Sequence, residues 1–213
     1  MAASMPGMRV WSPVLELRQY ALHPGARDVL IDLFDAEFVE AQEADGVDVL
    51  GQFRDLDDPD RFVWLRGFPS MERRADSLAA FYGGPVWKAH RDAANATMIS
   101  SDDVLLLRPT GSGFALDGER RGDAHGLVAA WITPLADADE PSAGEHGGSI
   151  LASFVTEPSE NTFPALPVRD DGPWFVTFAG FPDGADLPAG VLHLAPTSRS
   201  LLHGGSPARK DTP

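Results

Sequence analysis

From Val14 to Tyr20 apolar and polar residues alternate with the period of a β-strand. After the turn His23-Pro24-Gly25, the apolar positions Leu30, Leu33, Phe34, Phe38 and Ala41 keep the period of a helix that ends at Gly46. Val47 to Asp55 and Arg61 to Phe68 read as strands joined in a hairpin across the acidic turn Leu56 to Asp60. Ser70 can cap a helix that carries Met71, Ala75, Leu78 and Phe81 and stops at Gly83 and Gly84. Pro85 suits the first position of a short helix running to about Thr97, and Val104 to Arg108 closes the unit as a strand. The order β-α-β-β-α-β is that of a ferredoxin-like unit.

Parts of this pattern recur. Phe62, Val63, Gly67, Phe68 and Pro69 return as Phe175, Val176, Gly180, Phe181 and Pro182, and Val-Leu-Leu-Leu-Arg-Pro-Thr from Val104 returns as Val-Leu-His-Leu-Ala-Pro-Thr from Val191. Weaker pairings set Leu15 against Val128 and Phe53 against Phe154, so the ordered series points to duplication. The second copy keeps four strands, near Leu127 to Thr133, Ile150 to Thr156, Trp174 to Gly180 and Val191 to Leu194. Its connections are too rich in Pro and Gly for long helices, and its hairpin carries an insertion, Glu157 to Gly172.

The runs ELRQYALHPG, LGQFRDLDDPDRFVWLRGFP and FYGGPVWKAHRDAANATMISSDDVLLLRP occur in this order and resemble the NIPSNAP family, over Leu15 to Pro109. That family is similar to the dimeric α+β barrel proteins, in which two ferredoxin-like units set their sheets face to face around a cavity. The resemblance implies an α+β fold in which two tandem ferredoxin-like units form an intramolecular α+β barrel, the second degenerate with its helices shortened or lost. The expected divisions are a flexible lead at 1–13, a NIPSNAP-like unit at 14–110, a linker at 111–125, the second unit at 126–198 and a disordered tail at 199–213.

Alternation sorts each strand into two faces. Because Leu105 and Leu107 recur as Leu192 and Leu194, they are expected to form the core on the helix side. Leu106 and His193 then face the barrel lumen, with Glu16, Arg18, Tyr20, Phe62, Trp64, Arg66 and Phe68 from the first half. The second half contributes Ala129, Trp131, Thr133, Phe175, Thr177, Ala179 and Phe181. Glu16 must pair with Arg18 or Arg66 if buried, since an unpaired interior charge is strongly unfavourable. The segment that is a signature of the family adds His90 and Asn95 as candidate contacts, although Asp92 is too close in sequence to face His90 on a helix.

Charge narrows the partners. With 17 basic and 32 acidic residues the net charge is -15, which repels nucleic acid and anionic membranes. The chain has no cysteine, which removes disulfides, thiolate metal sites and thiol nucleophiles together. The six histidines show no helical i,i+4 pair or HExxH motif, and the acidic turn lacks the glycine and distal glutamate of a calcium loop, so no metal is expected. No nucleotide fingerprint or nucleophile elbow appears, and no cofactor is expected. No apolar run is long enough for a membrane span, and the first residues lack a signal-peptide pattern, so the expected location is cytoplasmic.

A lumen that is apolar with a few convergent polar groups suits a small, largely apolar or aromatic ligand. Arg18, Phe62, Trp64, Arg66, Phe68, Trp131, Phe175, Thr177, His90 and Asn95 are the expected contacts. The alternative is a cofactor-free monooxygenase or a cyclase or isomerase acting on an aromatic polyketide-like or quinol substrate, as the resemblance allows, with His193, Glu16 or Tyr20 as base. A third reading is a protein-interaction scaffold. It rests on Val176, Phe178, Leu192 and Leu194 facing water where helices are missing, covered by Phe163, Leu166 and Val168 of the insertion and by a second copy in a homodimer.

Overall fold

Alternating strands that hide one face need a second layer, and here two sheets supply it for each other. The structure, a computed structural model, describes residues 9–10, 12–116, 118–120, 122, 124–137 and 148–205. The first half runs β2 (Val14–Leu22), α1 (Arg27–Leu33), a π-helical turn (Phe34–Phe38), α2 (Val39–Ala44), β3 (Asp48–Asp55), β4 (Arg61–Phe68), α3 (Met71–Gly83), α4 (Pro85–Asn95) and β5 (Met98–Pro109). It follows the short β1 (Arg9–Val10), which pairs with β6 (Ala115–Leu116). The second half has β7 (Leu127–Pro134), β8 (Ser149–Thr156), β9 (Trp174–Phe181) and β10 (Leu192–Pro196).

Local chemistry explains the helix ends. The Ser70 hydroxyl accepts from the Arg73 amide at 3.2 Å and starts α3. Pro85 opens α4, where a missing amide hydrogen costs nothing. Gly46, at φ 83°, ends the first helical rod in a conformation that a side chain would strain.

Eight strands close into a barrel in the order β10-β3-β4-β2-β5-β8-β9-β7. Numbered from its own first strand, each half reads 2-3-1-4, and each fourth strand pairs with the other half's second. Registers correspond as well: Leu15 lies opposite Leu107 as Val128 lies opposite Leu194, and Tyr20 opposite Phe62 as Thr133 opposite Phe175. In the described part of the second half the only helix is a single 3₁₀ turn, Leu135–Asp137. Residues 138–147, where the first connecting helix would fall, lie outside the described residues.

The barrel interior is a filled core. Leu15, Leu17, Val63, Leu65, Leu105 and Leu107 from one sheet meet Val128, Ala130, Phe154, Val176, Phe178 and Leu194 from the other, with Phe53 and Phe114. An eight-stranded barrel has room inside for little more than such side chains. This reverses the face assignment made from the sequence: Leu105, Leu107, Leu192 and Leu194 line the lumen. Leu106 and the row Glu16, Arg18, Tyr20, Phe62, Trp64, Arg66 and Phe68 face α1 to α4. Ala129, Trp131, Thr133, Phe175, Thr177, Ala179 and Phe181 lie on the outer face of the second sheet, where Ala185, Leu187 and Val191 cover part of them. Alternation separates two faces without saying which points inward, and a lumen this narrow cannot take a row of Arg and Trp side chains.

Two further expectations change. Val176 and Phe178 are buried in the lumen and Leu192 packs against it, so the scaffold reading and the argument for a homodimer lose their exposed apolar face. The insertion does not cover the second sheet. Phe163, Leu166 and Val168 pack on the first half's helix-side core. At the carboxyl end, residues 199–205 belong to the wall rather than to a tail, since Leu201 and Leu202 are buried and donate backbone hydrogen bonds to the Leu50 carbonyl. The rest of the expected tail, 206–213, and most of the expected lead lie outside the described residues. Among the described residues, no helix is long and apolar enough to cross a membrane.

Candidate functional site

Strand pairing between β2 and β4 builds the site row by row. Glu16 lies opposite Arg66, Arg18 opposite Trp64 and Tyr20 opposite Phe62, all on the helix-facing side. Above them pass α1, the π-turn, α2 and α3. The π-turn sets Phe34 and Phe38 over the sheet, with Phe34 4.8 Å from Trp64 and 5.5 Å from Phe62 between ring centres. Such turns recur at functional sites because they reposition side chains that a regular helix would turn away.

The aromatic rings leave a cavity of about 30 Å³, lined by Tyr20, Leu30, Phe34, Phe38, Gln42, Trp64, Phe81, Tyr82, Trp87 and Met98. That is about the volume of one water molecule, so an organic ligand must widen it. The indole Nε1 of Trp64 is buried without a hydrogen-bond partner among the described residues.

Beside the cavity lies a buried charge cluster. Glu16 Oε2 accepts from Arg18 Nη1 at 2.6 Å and from Arg66 Nε at 2.7 Å, while Oε1 accepts from Arg74 Nε at 2.6 Å. All four side chains are at most 1% exposed. Burial alone would raise the Glu16 pKa, but Arg66, Arg18 and Arg74 outweigh it and hold the carboxyl well below the usual range. Burial also works against the charge of Arg18, yet Tyr20 and Glu16 keep that pKa above its ordinary value. For Arg74 burial prevails, and its pKa is lowered, with Arg66 and Arg18 adding repulsion. The Tyr20 phenol, pushed up mainly by burial, stays neutral and accepts from Arg18 Nε at 3.0 Å.

Three guanidiniums thus share one carboxylate. Their remaining partners are neutral: Gln42 Oε1 and Tyr82 Oη accept from Arg66 Nη1 at 3.2 and 3.4 Å. Asn161 Oδ1 and Thr162 Oγ1 accept from Arg74 Nη1 at 2.9 and 3.3 Å. The Nη2 groups of Arg66 and Arg74 are buried with no partner among the described residues. An interior charge that loses its partner is unfavourable by several kcal/mol, on the order of 3–5, so Glu16 is what holds the three arginines in place.

The insertion from the second half closes over this cluster. Its ends are tied to β5 by backbone bonds, Glu157 amide to Leu106 carbonyl and Arg169 amide to Val104 carbonyl, each 2.8 Å. Its middle is held on the first half mainly through side chains, with Thr162 also donating to the Met71 carbonyl and Phe163 stacked 6.0 Å from Tyr82. A groove of about 660 Å³ is formed largely by the insertion itself, with Asn161 and Val168 among its lining residues and Leu106 from β5.

Among the residues singled out from the sequence, Glu16, Arg18, Tyr20, Trp64 and Arg66 come together here, with Phe62 and Phe68 in the same core. His193 does not join them. On the outer face, its Nε2 lies 2.8 Å from the Pro188 carbonyl and its Nδ1 2.8 Å from Asp57. His90 is half-buried 3.4 Å from Glu37, at the edge of Phe38, and Asn95 is exposed. Trp131, Phe175 and Thr177 belong to the second sheet's outer face, where Thr177 bonds Ser153 at 3.0 Å. Arg74, Gln42, Tyr82 and Asn161 complete the site and lie on helices and the insertion. A helical period finds Gln42 and Arg74 only as polar residues on buried faces, and nothing local marks Asn161. No group of His, Asp and Glu able to hold a metal occurs among the described residues.

Solved structures match about half of the chain. One is a NIPSNAP family protein of unknown function from Agrobacterium tumefaciens, 20% identical, covering 47% of this chain and 91% of that one with a TM-score of 0.43. Another is a NIPSNAP-like domain protein from Burkholderia xenovorans, 22% identical over 49% and 87% of the two chains, TM-score 0.43. A protein of Nitrosomonas europaea that carries the designation antibiotic biosynthesis monooxygenase is 13% identical over 44% and 94%, TM-score 0.37. No curated protein matches the chain. The NIPSNAP family itself matches residues 15–112, the half that holds Glu16, its three arginines and the aromatic cavity. Over that stretch, 98 of 213 residues, the chain matches the NIPSNAP family.

Proposed function

We propose that the protein binds a small aromatic ligand between the first sheet and its helices, not in the barrel lumen. The observation that carries this reading is the aromatic cavity of Tyr20, Phe34, Trp64 and Trp87 beside a buried, unbalanced charge cluster. Cavities of this kind, apolar with a few converging polar groups, are the common form of small-molecule sites. The π-turn over it and the insertion held largely by side chains are the parts able to move as the cavity widens.

Catalysis is less well supported. Both oxygens of Glu16 are engaged by arginines and its carboxyl is held ionised, which makes it a weak base. His193 points away from the cavity, and Tyr20 remains a neutral phenol.

The test is ligand-observed NMR of the full chain with neutral aromatic probes such as benzyl alcohol and 2-naphthalenemethanol. Binding is expected, and Met98→Trp, which fills the cavity from its half-buried rim, is expected to abolish it. Equal binding to the filled variant, or no binding to the native chain of these probes or of the matching acids benzoate and 2-naphthoate, would show the reading to be wrong.

A further inference from the structure

We propose that the ligand of this site is an aromatic carboxylate, whose ring occupies the cavity and whose carboxylate is received by Arg66 and Arg74. The inference rests on the ligand-binding reading and adds the charge of the ligand to it.

Arg18, Arg66 and Arg74 are buried around Glu16 as their only carboxylate partner among the described residues. Arg18 puts Nη1 on Glu16 and Nε on the Tyr20 hydroxyl, and both Arg18 and Arg66 lie over the Trp64 ring, at 5.6 and 5.0 Å from its centre. Arg66 and Arg74 each spend Nε on Glu16, from opposite oxygens, and each keeps a buried Nη2 without a partner. Two guanidiniums flanking one carboxylate, each with an unspent nitrogen, suit a second carboxylate, because the planar fork of Arg matches the two oxygens of that group.

Neutral oxygens stand in the intended places. Gln42 and Tyr82 on one side and Asn161 and Thr162 on the other solvate the Nη1 groups with amides and hydroxyls. Gln42 and Tyr82 also line the aromatic cavity, so a ring seated there places its substituent next to Arg66. Asn161 lines the groove formed by the insertion and accepts from Arg74 Nη1, which puts Arg74 one hydrogen bond from that groove. A carboxylate arriving at Arg74 would displace Asn161 and Thr162, and the insertion would lift between its two backbone ties at Leu106 and Val104.

The experiment pairs probes that share a ring and differ in charge. Benzoate is compared with benzyl alcohol, and 2-naphthoate with 2-naphthalenemethanol, by titration calorimetry on the full chain at neutral pH. The acid is expected to bind at least tenfold more tightly in at least one pair. Arg74→Met is expected to reduce that preference to about parity, with folding checked by circular dichroism. Asn161→Asp tests the same point without removing an arginine. It supplies the missing carboxylate from the insertion, and the preference is again expected to vanish while the thermal midpoint rises. Equal binding of acid and alcohol would overturn the inference and leave the aromatic site standing, whereas binding of neither would overturn both. A preference for the acid that survives in both variants would overturn the assignment to Arg66 and Arg74.

Discussion

Replacing Glu16 by Gln would leave Arg18, Arg66 and Arg74 buried with no carboxylate among them. The expected loss is on the order of 3–5 kcal/mol, read from the urea midpoint. The same residue sets a pH dependence. Its folded pKa lies below the ordinary 4.5, so its contribution is present in full above that value and is lost as the pH falls toward the folded value. The Gln variant should therefore lose the steepest part of the wild-type acid transition. At this scale the sequence was informative: strand alternation placed Glu16, Arg18, Tyr20, Trp64 and Arg66 on one face and required Glu16 to pair. It gave no reason to add Arg74, because a single buried arginine on a helix has no local signature.

The first helical rod joins the site to the far end of the barrel. Asp35 in the π-turn is raised from 3.8 to about 6, chiefly by burial, against the lowering effects of Arg199 and of a hydrogen bond with Thr197 in the segment after β10. A carboxyl with a raised folded pKa favours folding fully below about 3.8, and that contribution is lost as the pH rises through 6. Asp35→Asn is expected to raise the thermal midpoint at pH 8 and leave it little changed at pH 3.5. An unchanged midpoint at both would remove Asp35 from the account. The rod itself was legible from the spacing of Leu30, Phe34 and Phe38, but its π-turn was not, because the packing of Phe34 and Phe38 on Phe62, Trp64 and Phe81 involves residues distant in sequence. The insertion was legible from the repeat, as extra residues in the second hairpin, while its resting place on the other half depends on contacts such as Thr162 to Met71.

Across the whole molecule, the repeat carried more information than was drawn from it. The leucines that recur in the last strand of each half, Leu105 with Leu192 and Leu107 with Leu194, line the interior that both sheets share. Positions that diverge, such as Arg66 with Ala179 and Trp64 with Thr177, lie outside, on the faces away from the lumen. Shared leucines therefore mark the lumen, and an eight-stranded barrel filled this way leaves the helix side of the first half as the place for a ligand. Gly67 and Gly180 add to the correspondence. A side chain at Gly67 would meet Ser12, and one at Gly180 would meet the backbone of Gly204, so each repeated glycine admits a crossing strand of chain. The central claim, that the ligand lies between the first sheet and its helices, is tested most directly by the indole N–H signals of the tryptophans during titration with 2-naphthoate, assigned through single Trp→Phe variants. Trp64 and Trp87 line the cavity, and Trp131 lies on the outer face of the second sheet. The account predicts saturable shifts at Trp64 and Trp87 with Trp131 unmoved; a titration that saturates while Trp64 stays in place would contradict it.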